Sequence, residues 1–195
     1  MDSIDYYDRY AIPYYEKTVD LSMEEMLKPF IELLPENAEV LDLGCGSGRD
    51  TLYMEEEGIS VTPMDASAEM CNLASIHTGK EVLNLRLEDM DFEDIFDGVW
   101  ACAIIGHFTP QEVKKAMKKV IRSLKEGGIM YFSVRKGDRD GQYNGRYFCD
   151  YSKRSLEDMI ESLRNVELVD LWVTEDIRKE SDSNEWFNVL LRKTE

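Results

Sequence analysis

Residues 40–50, Val-Leu-Asp-Leu-Gly-Cys-Gly-Ser-Gly-Arg-Asp, constrain the fold more than any other stretch of this chain. A short apolar run carries Asp42 and ends at Leu43. Three glycines then alternate with small residues, and Asp50-Thr51-Leu52-Tyr53-Met54 begins a helical pattern. The order reads as strand, glycine turn, helix start. Glycine is needed where the backbone takes φ > 0 or where a ligand lies too close for a Cβ. The unpaired N–H groups of the following helix start favour electron-rich groups. The turn is therefore expected to hold a ligand against bare backbone.

Its spacing narrows the ligand. A dinucleotide fingerprint needs G-x-G-x-x-G, and both possible registers fail here, at Arg49 and at Thr51. A P-loop needs Gly-Lys-Ser/Thr, which is absent. A second short strand, Gly58–Asp65, ends in an acid about 20 residues after the turn, where a carboxylate can accept hydrogen bonds from two ribose hydroxyls. A third acidic site, Leu87-Glu88-Asp89-Met90, follows the run Val82-Leu83-Asn84-Leu85. Then comes the apolar stretch Phe96–Phe108, containing Ala101-Cys102-Ala103-Ile104.

The pattern D-x-G-x-G-x-G, with these three motifs behind it in order, resembles the class I S-adenosylmethionine (SAM)-dependent methyltransferases of the small, single-domain bacterial type. The resemblance implies SAM as cofactor, S-adenosylhomocysteine (SAH) as product, and no metal. It implies cofactor contacts from Asp42, Gly44, Cys45 and Gly46 in the turn. Asp65 would hold the ribose, with Ala66 a further cofactor contact, Asp89 would meet the adenine amino group, and Met90 would lie beside the ring. Ala101 would frame the methyl donor, and Tyr14 would close over it. The Asn/Asp-Pro-Pro-Tyr/Phe signature of nucleic-acid amine methylation is absent after the fourth strand.

From residue 38 onward strand-like and helix-like segments alternate, which implies βαβ units and a parallel sheet covered on both faces. Strands are expected at 39–43, 60–64, 82–87, 98–103, 128–134, 167–174 and 186–191. Helices are expected at 50–57, 66–77, 110–124 and 155–163. The last two strands lack an intervening helix and must pair antiparallel. The expected fold is thus a doubly wound, seven-stranded, mostly parallel α/β sheet with an antiparallel last strand, in one domain spanning 1–195. Within it, 1–35 reads as a helical cap, 36–134 as the cofactor core, 135–151 as a flap and 152–195 as a helix and strand pair. Thr109-Pro110-Gln111-Glu112 signals a capping box. Gly127 is expected to cap the same helix in the left-handed conformation. Ser22 and Glu25 are expected to cap the helix that leads to Leu34-Pro35.

A formal charge of −17 argues against nucleic-acid substrates, which recruit basic faces. No apolar run reaches the roughly 20 residues of a bilayer span. Four scattered cysteines and an acidic, polar start fit a reduced protein of the cytoplasm. Oligomeric state is left open.

Methyl transfer from a sulfonium needs alignment and water exclusion, and a base only when the acceptor arrives protonated. His107, just past the fourth strand, is the candidate general base. The loop 135–148 is cationic and aromatic, and Arg135, Tyr143 and Arg146 are its candidate acceptor contacts. Tyr7, Tyr10 and Tyr14 are spaced for one helical face, with Pro13 expected to break or kink the helix there. Tyr7 is a further acceptor contact. The expected function is in-line methyl transfer to a small molecule. The alternative is a SAM- or SAH-binding sensor or complex subunit without catalysis.

Overall fold

The computed structural model describes residues 3–178 and 184–195. Three short helices open it: α1 (Ser3–Arg9), α2 (Ala11–Thr18) and α3 (Glu24–Ile31). The break lies at Tyr10 and not at Pro13. Pro13 is the third residue of α2, in the first turn, where a missing N–H costs no intrahelical bond. Of the three tyrosines expected on one face, Tyr7 and Tyr14 meet at 5.0 Å between ring centroids, whereas Tyr10 is exposed. Ser22 accepts the Glu24 N–H at 3.3 Å, but Met23 stands at the N-cap, no capping box forms, and α3 stops at Ile31.

The sheet strands are β1 (Glu39–Leu43), β2 (Ser60–Asp65), β3 (Leu83–Asn84), β4 (Phe96–Ala101), β5 (Leu124–Arg135), β8 (Val166–Glu175) and β9 (Glu185–Lys193). A separate hairpin comprises β6 (Asp140–Tyr143) and β7 (Arg146–Cys149). The seven-stranded order is β3-β2-β1-β4-β5-β9-β8, parallel as far as β5, with β9 antiparallel to both neighbours. Between them run α4 (Arg49–Glu56), α5 (Ala68–Thr78), α6 (Pro110–Ser123) and α7 (Lys153–Glu161). This is the Rossmann-like methyltransferase architecture. Strand order reverses between β1 and β4, and that switch point is where open α/β sheets bind ligands.

Alternation along the strands feeds two cores. Leu41, Leu43, Val99 and Ala101 face the α6 stripe Val113, Ala116, Met117 and Val120. Val40, Val61, Trp100 and Tyr131 face Met26, Leu27 and Phe30 of α3. Each fully buried aliphatic contributes about 1.5–3 kcal/mol. Trp100 stacks on Tyr131 at 3.8 Å. Gly98 permits this packing, since a Cβ there would lie 2.7 Å from Phe30.

Local signals hold where one turn decides them. The Thr109 capping box forms as read. Asn144 (φ 50°) and Gly145 (φ 82°) make a two-residue hairpin turn of the type that matches strand twist. Two further expectations fail. The strand expected at 82–87 shrinks to Leu83–Asn84, because a 3-10 turn takes over at Leu87–Asp89. Gly127 does not cap α6. The chain leaves the helix straight into β5 at Leu124, and Gly127 (φ 77°) serves the irregular step between the Phe96–Leu124 and Gly98–Ile129 pairs.

Candidate functional site

The glycine turn is left-handed at Gly44 (φ 74°), Gly46 (φ 55°) and Gly48 (φ 79°). The Gly44 and Cys45 N–H groups both donate to the Met64 carbonyl, at 2.8 and 3.0 Å, which ties the turn to the end of β2. Asp65 then grips it from the side. Its carboxylate accepts the Gly46 N–H at 3.0 Å and the Ser67 N–H at 2.9 Å. Burial pushes the Asp65 carboxyl up, and these backbone N–H groups pull it back. A carboxylate has about four acceptor positions, so room remains for ligand hydroxyls.

Asp42 lies beneath the turn and not in the cavity wall. It is 2% exposed and accepts the Thr51 hydroxyl at 2.5 Å. Asp50, close by, accepts Trp100 Nε1–H at 2.9 Å and Arg49 Nε–H at 3.0 Å. Burial and the neighbouring Asp50 push the Asp42 carboxyl up to about 8. Its visible work is to brace the helix start against β1.

Above the turn opens a cavity of about 710 Å³. The end beside the glycine turn is walled by Gly44, Gly46, Asp65, Ala66, Tyr14 and Arg49. Of the other expected cofactor contacts, Cys45 is buried with Cys71, Ala74 and Val82, and Ala101 is buried in the core. The 3-10 turn leaves Asp89 exposed and Met90 in the core, so neither lines the cavity. Leu85, Arg86, Leu87 and Glu88 form that wall instead.

The far end is built by the N-terminal helices and the hairpin. His107 stands in a 3-10 turn after β4, between two partners. Its Nδ1 lies 2.9 Å from the Tyr147 carbonyl and its Nε2 lies 3.0 Å from the Tyr7 hydroxyl. A carbonyl can only accept, so Nδ1 is assigned the proton and Nε2 the lone pair, which accepts from Tyr7. Burial, with help from Arg146 and Arg139, lowers the His107 pKa to about 4. Burial raises the Tyr7 phenol, which stays protonated. Both histidine and tyrosine are therefore neutral at physiological pH.

Arg146 donates to the Tyr7 hydroxyl at 3.4 Å and packs on Tyr6 and Phe148. Arg135 lines the cavity too, but Asp150 and Asn184 hold its terminal nitrogens. Tyr143 is exposed and outside the wall. Several participants lay beyond sequence reasoning. Asp8 of α1 accepts the Ser67 hydroxyl at 2.6 Å and the Glu69 N–H at 3.3 Å, and so latches α1 to the α5 N-terminus. Ser3 accepts the Tyr147 N–H at 3.1 Å. The only available signal was for Arg49, which sits inside the glycine motif itself.

A parallel core with a reversed last strand, and a cavity at its switch point gripped by a glycine turn and an acid, defines a nucleotide-ligand α/β protein. A family model described as "Methyltransferase domain" matches residues 41–132. A Bacillus subtilis protein named as a methyltransferase, YqeM, is 32% identical over 136 residues, covering 66% of this chain and 55% of its own length. The chain thus spans about half of that relative. An uncharacterised methyltransferase of Staphylococcus carnosus is 27% identical over 188 residues, covering 92% of this chain and 83% of its own. The crystal structure of Burkholderia thailandensis 1,6-didemethyltoxoflavin-N1-methyltransferase, with 1,6-didemethyltoxoflavin and SAH bound, superposes with a TM-score of 0.80 at 22% identity. That match covers 98% of this chain and 87% of the other. These likenesses support a class I SAM-dependent methyltransferase, with SAM as the cofactor. Among the described residues no helix is long and apolar enough to cross a membrane.

Proposed function

We propose that this protein transfers the methyl group of SAM to a small-molecule acceptor by in-line displacement, within the broad class EC 2.1.1.-. The carrying observation is one continuous cavity. One end has glycine backbone and Asp65 for a nucleoside, and the other has His107, Tyr7 and Arg146 for a second molecule. The residues present fit SAM, because bare backbone at Gly44 and Gly46 and the remaining acceptor capacity of Asp65 match a ribosyl ligand. Asp89 and Met90 are set aside as cofactor contacts in favour of the wall formed by Leu85, Arg86, Leu87 and Glu88.

Bound SAM supplies a methyl already activated by the sulfonium charge. The chain must align, dehydrate and, for some acceptors, take a proton. Residues 1–35 act as a cap and 135–151 as a flap, which together exclude water. Tyr7 and Arg146 orient the acceptor. His107 Nε2 is the proton acceptor, reached directly or through the Tyr7 hydroxyl. A base with a pKa of about 4 is always unprotonated at neutral pH but weak, so it suits an acceptor whose proton is already acidic. A polyanionic acceptor fits poorly with the −17 charge. Four cysteines without disulfides support a reducing compartment such as the cytoplasm.

The test is turnover. Purified protein with methyl-labelled SAM and a library of planar small acids should release SAH and a labelled product. His107→Ala should lower the rate at least tenfold with SAH affinity unchanged. SAM binding without any turnover would favour the sensor reading.

A further inference from the structure

Six arginines line the cavity of a chain whose formal charge is −17. Five have carboxylate neighbours. Arg49 meets Asp50 at 3.0 Å, Arg86 meets Glu88 at 3.8 Å and Arg178 meets Asp176 at 2.6 Å. Arg135 and Arg139 share Asp150, at 3.1 and 2.8 Å. Arg146 is the exception, because among the described residues it forms no ion pair. Asp140, an acid of the same hairpin, accepts the Tyr147 hydroxyl.

Arg146 is nevertheless held firmly. Its guanidinium carbon lies 4.3 Å from the Tyr6 ring centroid, 4.9 Å from Phe148 and 5.8 Å from Tyr7. Its Nε is buried and makes no hydrogen bond. A half-buried cation whose buried Nε–H is idle is incomplete on its own and is completed by an anion. Flat faces flank it, since His107 lies 5.7 Å from Tyr7 and 5.2 Å from Phe148, ring to ring. Arg135 also has a buried, idle Nε, but Asp150 and Asn184 already take its other nitrogens. Neutral His107 adds no second charge.

Resting on the methyltransferase reading, the geometry points to a planar acceptor that binds as an anion, its charge set against the Arg146 guanidinium between the rings of Tyr7 and Phe148. The aromatic faces select for flatness and the fork of Arg146 selects for a carboxylate or similarly delocalised anion. Arg135 and Arg139 are spoken for by Asp150 and shape the flap.

Benzoate and benzamide are nearly the same size and shape and differ in charge, so they are the probes. Each is titrated by ligand-observed NMR into the full chain saturated with SAH. Benzoate should bind at least tenfold more tightly, the scale of one charge-assisted hydrogen bond. Arg146→Met should erase that preference while SAH affinity stays within about twofold. Arg146→Lys keeps the charge without the fork and should retain part of the preference, which covers the case of a Met variant that does not fold. Equal binding of the two probes, no binding of benzoate, or a preference that survives in Arg146→Met would overturn the assignment. A chain that refuses SAH yet still prefers benzoate would refute the methyltransferase reading and leave the anion site standing.

Discussion

Replacing Asp65 by alanine separates cofactor recognition from scaffolding. The carboxylate accepts two backbone N–H groups, from Gly46 at 3.0 Å and Ser67 at 2.9 Å, and faces the cavity with acceptor capacity to spare. A hydrogen bond to a charged acceptor is worth about 1.5–3 kcal/mol. At about 1.4 kcal/mol per tenfold, Asp65→Ala should weaken SAM and SAH binding by roughly 10- to 150-fold. It also frees the two N–H groups at the turn, so stability should fall by about 1–2 kcal/mol. Asp65→Asn keeps the shape but presents an NH₂ to one of two N–H donors, and should show a similar affinity loss. Isothermal calorimetry reads the affinity and urea denaturation the stability. A folded Asp65→Ala protein that binds SAH within twofold of the wild type would show that this carboxylate does not hold the ligand.

Three further outcomes follow from the same geometry. Gly48→Ala forces a left-handed alanine at φ 79° and places a Cβ 2.8 Å from the Thr78 methyl, so it should cost about 2–4 kcal/mol in urea denaturation; a loss under about 0.5 kcal/mol would contradict the clash. Asp42 holds a proton in the folded state that the unfolded chain releases above about pH 4, so its contribution makes stability fall as pH rises from about 4 to about 8. Asp42→Asn, which can still accept from Thr51, should flatten that slope, and an unchanged pH profile of denaturation would refute the buried proton. Deleting the first ten residues removes Tyr7 and Asp8 but no buried residue of α1, so the core should melt nearly as before while turnover drops at least tenfold. Full turnover by the truncated protein would dismiss the cap.

The glycine-turn end of the cavity was legible because its signals are local. Three glycines with left-handed backbone, and an acid at the next strand tip, are decided within a few residues, and Gly44, Gly46 and Asp65 stand in the wall as read. The third acidic motif reads differently where a strand gives way early: the 3-10 turn leaves Asp89 exposed and puts Leu87 and Glu88 in the wall. Asp42 shows a different limit. Its place in the motif says where it is, but only the packing of Thr51, Asp50 and Trp100 shows that it braces the turn. The far end of the cavity could be listed as residue types but not assembled. Tyr7 reaches His107 across one hundred residues, and Arg146 reaches Tyr7 across 139. No periodicity or turn rule spans such distances. Nor does any such rule distinguish Arg135, which Asp150 neutralises, from Arg146, which no acid meets among the described residues.

The central claim is that the glycine turn and Asp65 serve SAM and not a dinucleotide. Calorimetric titration of the full chain with SAM, SAH and NAD tests it most directly. SAM and SAH should each bind with one site per chain, and NAD should give no heat of binding. Saturable NAD binding together with silence for SAM and SAH would contradict the account.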